Sequence, residues 1–361
     1  MATAAGNPWL GFLGHERALV AEDPATGTRM VIAVHSTVLG PALGGTRMND
    51  YADAPDPGAA AYADALRLSR AMTYKNALAG LNHGGGKGVI VADPTVPKDP
   101  EVLHAYGRLV TSLGGTYVTA GDVGMTVADM DVVGEACPWT TGRSPEAGGV
   151  GDSGILTAWG VFRGLQASAT TVFGTDDLRG RRIGVVGVGK VGGRLVGHLL
   201  EAGADVIAVD PSESARVALA EAHPEVRFVS TLAELLAEAP DVLSPNALGG
   251  IITADLVPHL PVRLICGGAN NQLATPEVGD LLSARGVVYA PDFLVNCGGV
   301  IQVAEELVGG DLDRARARVD RVFDTTIRVL ERAEAESITP VRAAEAEAED
   351  RIARARGERV L

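Results

Sequence analysis

Hydrophobic residues fall into two rhythms along this chain. In the first, TRMVIAVHSTV (28–38) is β-rich and partly alternating, which predicts a strand. Residues 59–81 carry Leu66, Ser69, Ala71 and Met72 at near-helical spacing. They predict one long helix that enters a glycine loop at 84–86. KGVIVADP (87–94) predicts a short buried strand ended by Asp-Pro. Residues 99–113 predict a helix with Leu103, Tyr106, Leu109, Val110 and Leu113 on one face. YVTAGDVG (117–124) predicts a strand and the turn after it.

EAGGVGDSG (146–154) is glycine-rich and poor in large apolar residues, so it marks the expected domain boundary. Strand and helix signals alternate beyond it. Residues 155–168 read as a helix, 181–189 as a buried strand running into glycines, 190–203 as a helix ended by Gly203. A strand at 204–210 and a helix at 213–222 follow. VLSPNA, RLICGGAN and VVYAPDF are apolar runs that end in small or polar residues. This alternation predicts a parallel, doubly wound sheet. Residues 311–336 predict a single amphipathic helix with Val319, Val322, Phe323, Thr326, Val329 and Leu330 inward. Thr339-Pro340 predicts the start of a last helix.

Composition narrows the class. Of 361 residues 46 are glycine, nearly twice the usual share of about 7%, with no Gly-X-Y period. Aromatic residues are only 4%, so the core must be built mostly from Ala, Val, Leu and Ile. The net charge of −14 disfavours nucleic acid and anionic membranes as partners. Cys137, Cys266 and Cys297 are odd in number and widely spaced. Neither a disulfide framework nor a metal site is indicated. The N-terminal residues lack the features of a signal peptide, and no run of 18 apolar residues occurs. The cytoplasm is the expected compartment.

Gly187-Val-Gly189-Lys-Val-Gly192 is G-x-G-x-x-G. It follows an expected strand, opens an expected helix, and precedes a second strand ending in Asp210. That is the context a dinucleotide-binding turn demands. The first glycine makes the tight turn, the second admits the pyrophosphate, and the third allows close helix–strand packing. Asp210 can accept hydrogen bonds from ribose hydroxyls and would repel a 2′-phosphate, which favours NAD over NADP. Ser212 fits that choice, while Arg216 argues the other way. The plainer alternative is a tight turn with no ligand.

Lys75 lies in MTYKN and Lys87 in GGGKG. The second run resembles a phosphate-binding loop only superficially. Position 81 is Leu, and Gly88 stands where Ser or Thr is needed. Asp122, in TAGDVG, falls at an expected strand end. Each of the three alone is most simply a surface charge. Together, in glycine-rich surroundings that let a ligand approach the backbone, they suggest a site.

GPALGGTRM (40–48), MTYKNALAGLNHGGGKGVI (72–90), TAGDVG, GVGKVG, CGGANNQLA (266–274) and YAPDFLVNCGGVIQVAEEL (289–307) resemble the glutamate/leucine/phenylalanine/valine dehydrogenase superfamily. The resemblance runs from about residue 25 to 335. It is strongest to the branched-chain members, and to actinobacterial valine dehydrogenases among them. It implies two α/β domains flanking a cleft. Residues 1–150 would bind substrate and oligomerise, with helix 340–361 packing back on them. Residues 151–339 would be a Rossmann domain that binds NAD.

The resemblance also implies roles. Lys75 would bind the substrate carboxylate, with Gly45 nearby. Lys87 would activate the water that attacks the imine, and Asp122 would shuttle protons. Thr157, Asn271 and Asn296 would hold the nicotinamide region. Lys190 and Val191, inside the fingerprint, and Asn246 and Ala247 complete the expected cofactor contacts.

Leu43, Met72, Val300 and Val303 would surround the substrate side chain. Leu43 and Val303 stand where glutamate-specific relatives carry polar or cationic groups. An apolar pair would leave a γ-carboxylate unpaired, so an aliphatic amino acid is favoured. Valine and leucine differ by one methylene, worth only about 1 kcal/mol. The expected activity is reversible oxidative deamination of valine or leucine by a homo-oligomer. The alternatives are a phenylalanine dehydrogenase of the same fold and a non-catalytic NAD(H) sensor.

Four residues depart from the pattern of the resemblance. Gly121 stands where leucine enzymes often carry Glu, Asn246 for a common Cys, and Gly268 for a common Ala. Cys297 stands for a usual Ala and reads as a small buried hydrophobe.

Overall fold

The computed structural model of the chain describes residues 14–357. These separate into two compact units. The first holds residues up to 152, residues 303–312 and those from 348 onward. The second holds 153–302 and 313–347. Two segments fall differently from the sequence expectation. Residues 303–312 count with the first unit, because Thr141 Oγ1 donates to the Val303 carbonyl and the Glu306 carboxylate takes the amides of Gly142 and Val150. Residues 340–347 count with the second, where Glu347 faces Arg328 and Arg332.

The first unit is built on a five-stranded mixed sheet, ordered β1-β2-β4-β3-β5. Its strands are β1 (Arg17–Glu22), β2 (Arg29–Ser36), β3 (Ala42–Asn49), β4 (Gly84–Val91) and β5 (Tyr117–Gly121). Helix α1 (Pro57–Leu78) covers one face. Asp56 caps it by accepting the Ala59 amide, and Pro57 occupies its first turn. Ala61, Ala65 and Leu66 of α1 pack on Val31, Ala33 and Val89. Helices α2 (Pro100–Thr111) and α3 (Val127–Ala136) cover the other face, burying Met30, Ile32, Met48 and Ile90 against Tyr106, Val110 and Met130.

The expected glycine loop at 84–86 is strand. β4 already pairs with β2 at Gly85 and with β3 at Gly84. A side chain there has no room: a Cβ on Gly85 would strike the backbone of Thr73 in α1, and one on Gly86 would strike the Tyr117 ring. The glycines serve close packing on both faces, a tertiary demand that resembles a loop signal in sequence. β1, β3 and α3 were not legible in the pattern.

The second unit opens with helix α4 (Gly154–Phe173). Its all-parallel sheet has β6 (Arg182–Val186), β7 (Asp205–Val209), β8 (Arg227–Phe228), β9 (Val242–Pro245), β10 (Leu264–Ile265) and β11 (Val288–Tyr289). Their order is β11-β10-β9-β6-β7-β8. Chain order reverses between β6 and β9, the switch point where such sheets bind ligands. Helices α5 (Gly192–Glu201), α6 (Glu213–Ala222), α7 (Leu232–Ala237), α8 (Glu277–Ala284) and α9 (Asp292–Val295) accompany the strands.

Four more helices complete the chain: α10 (Gly298–Glu306), α11 (Leu312–Val319), α12 (Val322–Glu336) and α13 (Pro340–Arg356). The single helix expected over 311–336 is thus two. The break falls at Asp320-Arg321, where the Trp159 indole donates to Asp320 Oδ1 and Arg163 lies 3.6 Å away. The expected inward residues are buried except Phe323, which is half-buried. No helix among the described residues is long and apolar enough to cross a membrane.

Candidate active site

In the first unit, Lys87 sits in the middle of β4, with its side chain 5% exposed. β-strand alternation puts it on the face covered by α1, two residues beyond Gly85. Asp122 follows the last residue of β5, and its amide donates to the Thr46 carbonyl of β3. Lys87 Nζ meets Asp122 Oδ2 at 2.5 Å. Gly45 makes the meeting possible, since a Cβ there would lie 2.8 Å from the Asp122 Cβ.

Two further charged residues join this pair. Arg47 on β3 reaches the same Asp122 Oδ2 at 3.3 Å and Asp64 Oδ2 on α1 at 2.9 Å. Asp64 also accepts the Tyr51 hydroxyl at 2.8 Å and Arg67 at 2.8 Å. Burial pushes the Lys87 ammonium below the usual lysine range, against the pull of Asp122. Burial alone would raise the Asp122 carboxyl. The Lys87 and Arg47 cations outweigh it and hold Asp122 well below the usual carboxylate range.

Lys75 is half-buried in the last turn of α1. That end of the helix is fastened twice. Asn76 Nδ2 donates to the carbonyls of Leu43 at 3.0 Å and Gly84 at 2.6 Å. Arg351 of α13 donates to the carbonyls of Ala77 at 2.6 Å and Leu81 at 2.7 Å. Leu43 is fully buried, and Met72 Cγ would lie 3.2 Å from a Cβ on Gly44. Val303 is buried near Gly142, while Val300 is half-buried and counts with the second unit.

In the second unit, the three fingerprint glycines have three separate physical reasons. Gly187 has φ +91°, and a Cβ on it would lie 2.6 Å from the Ala247 Cβ. Gly189 faces open space, so a group can approach its backbone. A Cβ on Gly192 would strike the Gly187 carbonyl. Lys190 is exposed, and Val191 stands at the start of α5 with no side-chain cap. Asp210 Oδ2 accepts the Val188 amide at 2.7 Å, and Oδ1 accepts the Ser212 amide at 2.8 Å. Arg216 turns its guanidinium to the Asp210 backbone carbonyl at 2.6 Å.

Asn246 and Gly268 are coupled departures. Asn246 Oδ1 accepts the Gly268 amide at 2.8 Å, and its Nδ2 donates to Ser244. A Cβ on residue 268 would lie 2.9 Å from that Oδ1 and 2.8 Å from Val191 Cγ1. The amide at 246 thus occupies the space that the missing methyl at 268 leaves. Asn296 donates to the Gly268 carbonyl and to Asn270 Oδ1, and its own Oδ1 is buried with no hydrogen-bond partner in the protein. This orphaned acceptor fits a polar ligand at the sheet end.

Exposed Asn271 has φ +53°, and its amide donates to Asp292. Thr157 Oγ1 donates to the Ser153 carbonyl and borders Gly299. Cys297 is fully buried. The structure therefore gathers Gly187, Val191, Gly192, Asn246, Ala247, Gly268 and Asn296 at one end of the parallel sheet. Arg47, Asp64, Asn76, Arg351 and Asp292 escaped the sequence reading. Arg47 lies inside GPALGGTRM, and its position in that glycine run was the one available signal.

The family model described as Glu/Leu/Phe/Val dehydrogenase, dimerisation domain, matches residues 15–138. The one described as Glutamate/Leucine/Phenylalanine/Valine dehydrogenase matches residues 148–359. The valine dehydrogenase of Streptomyces virginiae is 54% identical over 344 residues, 95% of this chain and 95% of its own. The leucine dehydrogenase of Geobacillus stearothermophilus is 43% identical over 338 residues, 94% of this chain and 90% of its own. Among solved structures, L-tryptophan dehydrogenase from Nostoc punctiforme is similar with a TM-score of 0.81 and 33% identity, covering 96% of this chain and 98% of that one.

Proposed function

This chain belongs to the Glu/Leu/Phe/Val dehydrogenase family, and from that premise we propose that it oxidatively deaminates a branched-chain L-amino acid, valine or leucine, with NAD. The observation that carries the reading is the pairing at 2.5 Å of Lys87, buried in the middle of β4, with half-buried Asp122 at the end of β5.

We assign the proton chemistry to that pair. With its pKa depressed by burial, Lys87 can lose its proton and take one from the water that attacks the substrate imine. Asp122 stays ionised and passes protons to and from the amino nitrogen. Lys75 neutralises the α-carboxylate. The overall reaction converts amino acid, water and NAD⁺ to 2-oxo acid, ammonium, NADH and a proton. Leu43 and Val303 are buried and apolar, which supports an aliphatic side chain over a carboxylate.

The residues at the β6–β9 switch point fit a dinucleotide. NAD bound there would supply the hydride acceptor. Gly189 leaves its backbone approachable, the α5 amides would hold the pyrophosphate, and Asp210 keeps acceptor capacity for the ribose hydroxyls. Two of these features argue for NAD over NADP. The Asp210 carboxylate would repel a 2′-phosphate, and Arg216 is engaged at a backbone carbonyl. We further read Thr157, Asn246, Ala247, Asn271 and Asn296 as nicotinamide-side contacts, Lys190 as a phosphate-side one, and the active form as a cytoplasmic homo-oligomer assembled through the first unit. Its three cysteines are buried and form no disulfide, which suits a reducing compartment.

The test is NADH formation with L-valine, L-leucine, L-isoleucine, L-phenylalanine and L-glutamate at alkaline pH. Turnover should be fastest with a branched-chain substrate. No turnover of any aliphatic amino acid would refute the assignment. NADH binding without turnover of anything would favour a sensor, and a preference for phenylalanine the aromatic alternative. In the same assay Lys87→Ala should lose most turnover while still binding NADH.

A further inference from the structure

Arg47 and Asp64 perform no step in the reaction above, yet they are wired to the residues that do. We propose that Arg47, held by Asp64, is a positioning residue that fixes Asp122 and sets the pH at which Lys87 becomes a base. The proposal rests on the reading of Lys87 and Asp122 as the proton-handling pair.

The geometry is a chain of charges across four elements, β4, β5, β3 and α1. One oxygen, Asp122 Oδ2, lies between two cations, Lys87 Nζ at 2.5 Å and Arg47 at 3.3 Å. The other arm of the guanidinium is fixed by Asp64 Oδ2 at 2.9 Å, and Asp64 is itself braced by Tyr51 and Arg67. The Arg47 side chain is only 19% exposed, so solvent screens its charge weakly. A guanidinium keeps its proton at any working pH. Of the two cations that share Asp122, only Lys87 can discharge, and doing so removes the repulsion between them.

The charged groups facing Lys87 come from three sides: Asp122 after β5, Arg47 on β3, and Asp64 on α1. β2 sets Ala33 opposite it and adds no charge at that position. Lys75 is a further cation carried on α1. The signs are unequal in a useful way. Arg47 disfavours the Lys87 ammonium, whereas Asp64 favours it. Removing one or the other must therefore move Lys87 in opposite directions. A role confined to packing would not produce that pattern.

The experiment is the pH dependence of kcat/KM for the fastest amino acid in the full-length protein, for wild type, Arg47→Met, Arg47→Lys and Asp64→Asn, with Lys87→Ala as reference. Activity rises with pH as Lys87 deprotonates. Arg47→Met should move that acidic limb up by about one pH unit, and Asp64→Asn should move it down by about half a unit. Arg47→Lys should return the limb to within about 0.3 units of wild type while kcat stays reduced, because charge survives but the fork is lost. Circular dichroism verifies folding, and if Arg47→Met fails to fold, Asp64→Asn still carries the test. Limbs that stay put or move together, with Lys87→Ala inactive, would overturn the role of Arg47 and Asp64 alone. An active Lys87→Ala would overturn the underlying reading.

Discussion

Gly45 and Asp122 touch across the β3–β5 pair: a methyl group on residue 45 would lie 2.8 Å from the Asp122 Cβ. Gly45→Ala must therefore push Asp122 away from Lys87 or bend β3. Overpacking of this kind costs about 1–3 kcal/mol. Misplacing an acid–base group by about 1 Å can cost about 100-fold in rate. We expect a modest fall in the thermal midpoint and a large fall in kcat. Unchanged kcat in a folded variant would remove Asp122 from the proton pathway.

The fingerprint glycines should separate stability from binding. Gly187 has a positive φ and abuts Ala247, so Gly187→Ala should lower the thermal midpoint. Gly189 faces open space, so Gly189→Val should fold normally and weaken NADH affinity at least about tenfold by blocking approach to the backbone. Fluorescence titration with NADH and a thermal scan, run on both variants, distinguish the two effects.

The coupled departures predict non-additivity. Gly268→Ala alone crowds Asn246 Oδ1 and Val191 and should destabilise the second unit. In an Asn246→Cys background the crowding at residue 246 is gone. The double-mutant cycle should show a coupling of about 1 kcal/mol, within the range of about 0.5–3 for residues in contact. Additive effects in urea unfolding would mean that the two positions vary independently.

Acid stability has an identifiable contributor. Burial pushes the His35 imidazole down to about 4, with the His15 and Arg70 charges adding to it. The unfolded chain therefore binds more protons than the folded one between about pH 4 and 6.5. Stability should rise with pH across that window and fall as the pH drops through it. Thermal midpoints of wild type and His35→Gln should converge toward pH 4 and differ most above pH 6.5. Parallel curves would assign the acid sensitivity elsewhere.

Much of the second unit was legible because its signals are local. The βα turn at 187–192 needs three glycines at fixed spacing, and Asp210 closes the following strand. Helix 213–222 begins where its cap, Ser212, says it should. The first unit hid more. Gly84–Gly86 resembled a loop because nothing in the sequence reveals that α1 and Tyr117 press on the strand from opposite faces. Arg47 and Asp64 carry no sequence signal that joins them. Their partnership exists only once β3 is in register with β5 and α1 lies over the sheet. The break at Asp320 was hidden for the same reason, since its partner Trp159 is 161 residues away.

The clamp from Arg351 onto the end of α1 joins residues 274 positions apart. Contacts of such sequence separation form late, and chains emerge from the ribosome N-terminus first. The helix that carries Lys75 is made early in synthesis, and Asn76 can tie its last turn to β3 and β4 at once, but the second fastening waits until α13 has emerged. The first unit draws on residues before and after the whole of the second. A nascent or truncated chain that lacks α13 can present a complete dinucleotide turn and still hold the Lys75 end of α1 by Asn76 alone.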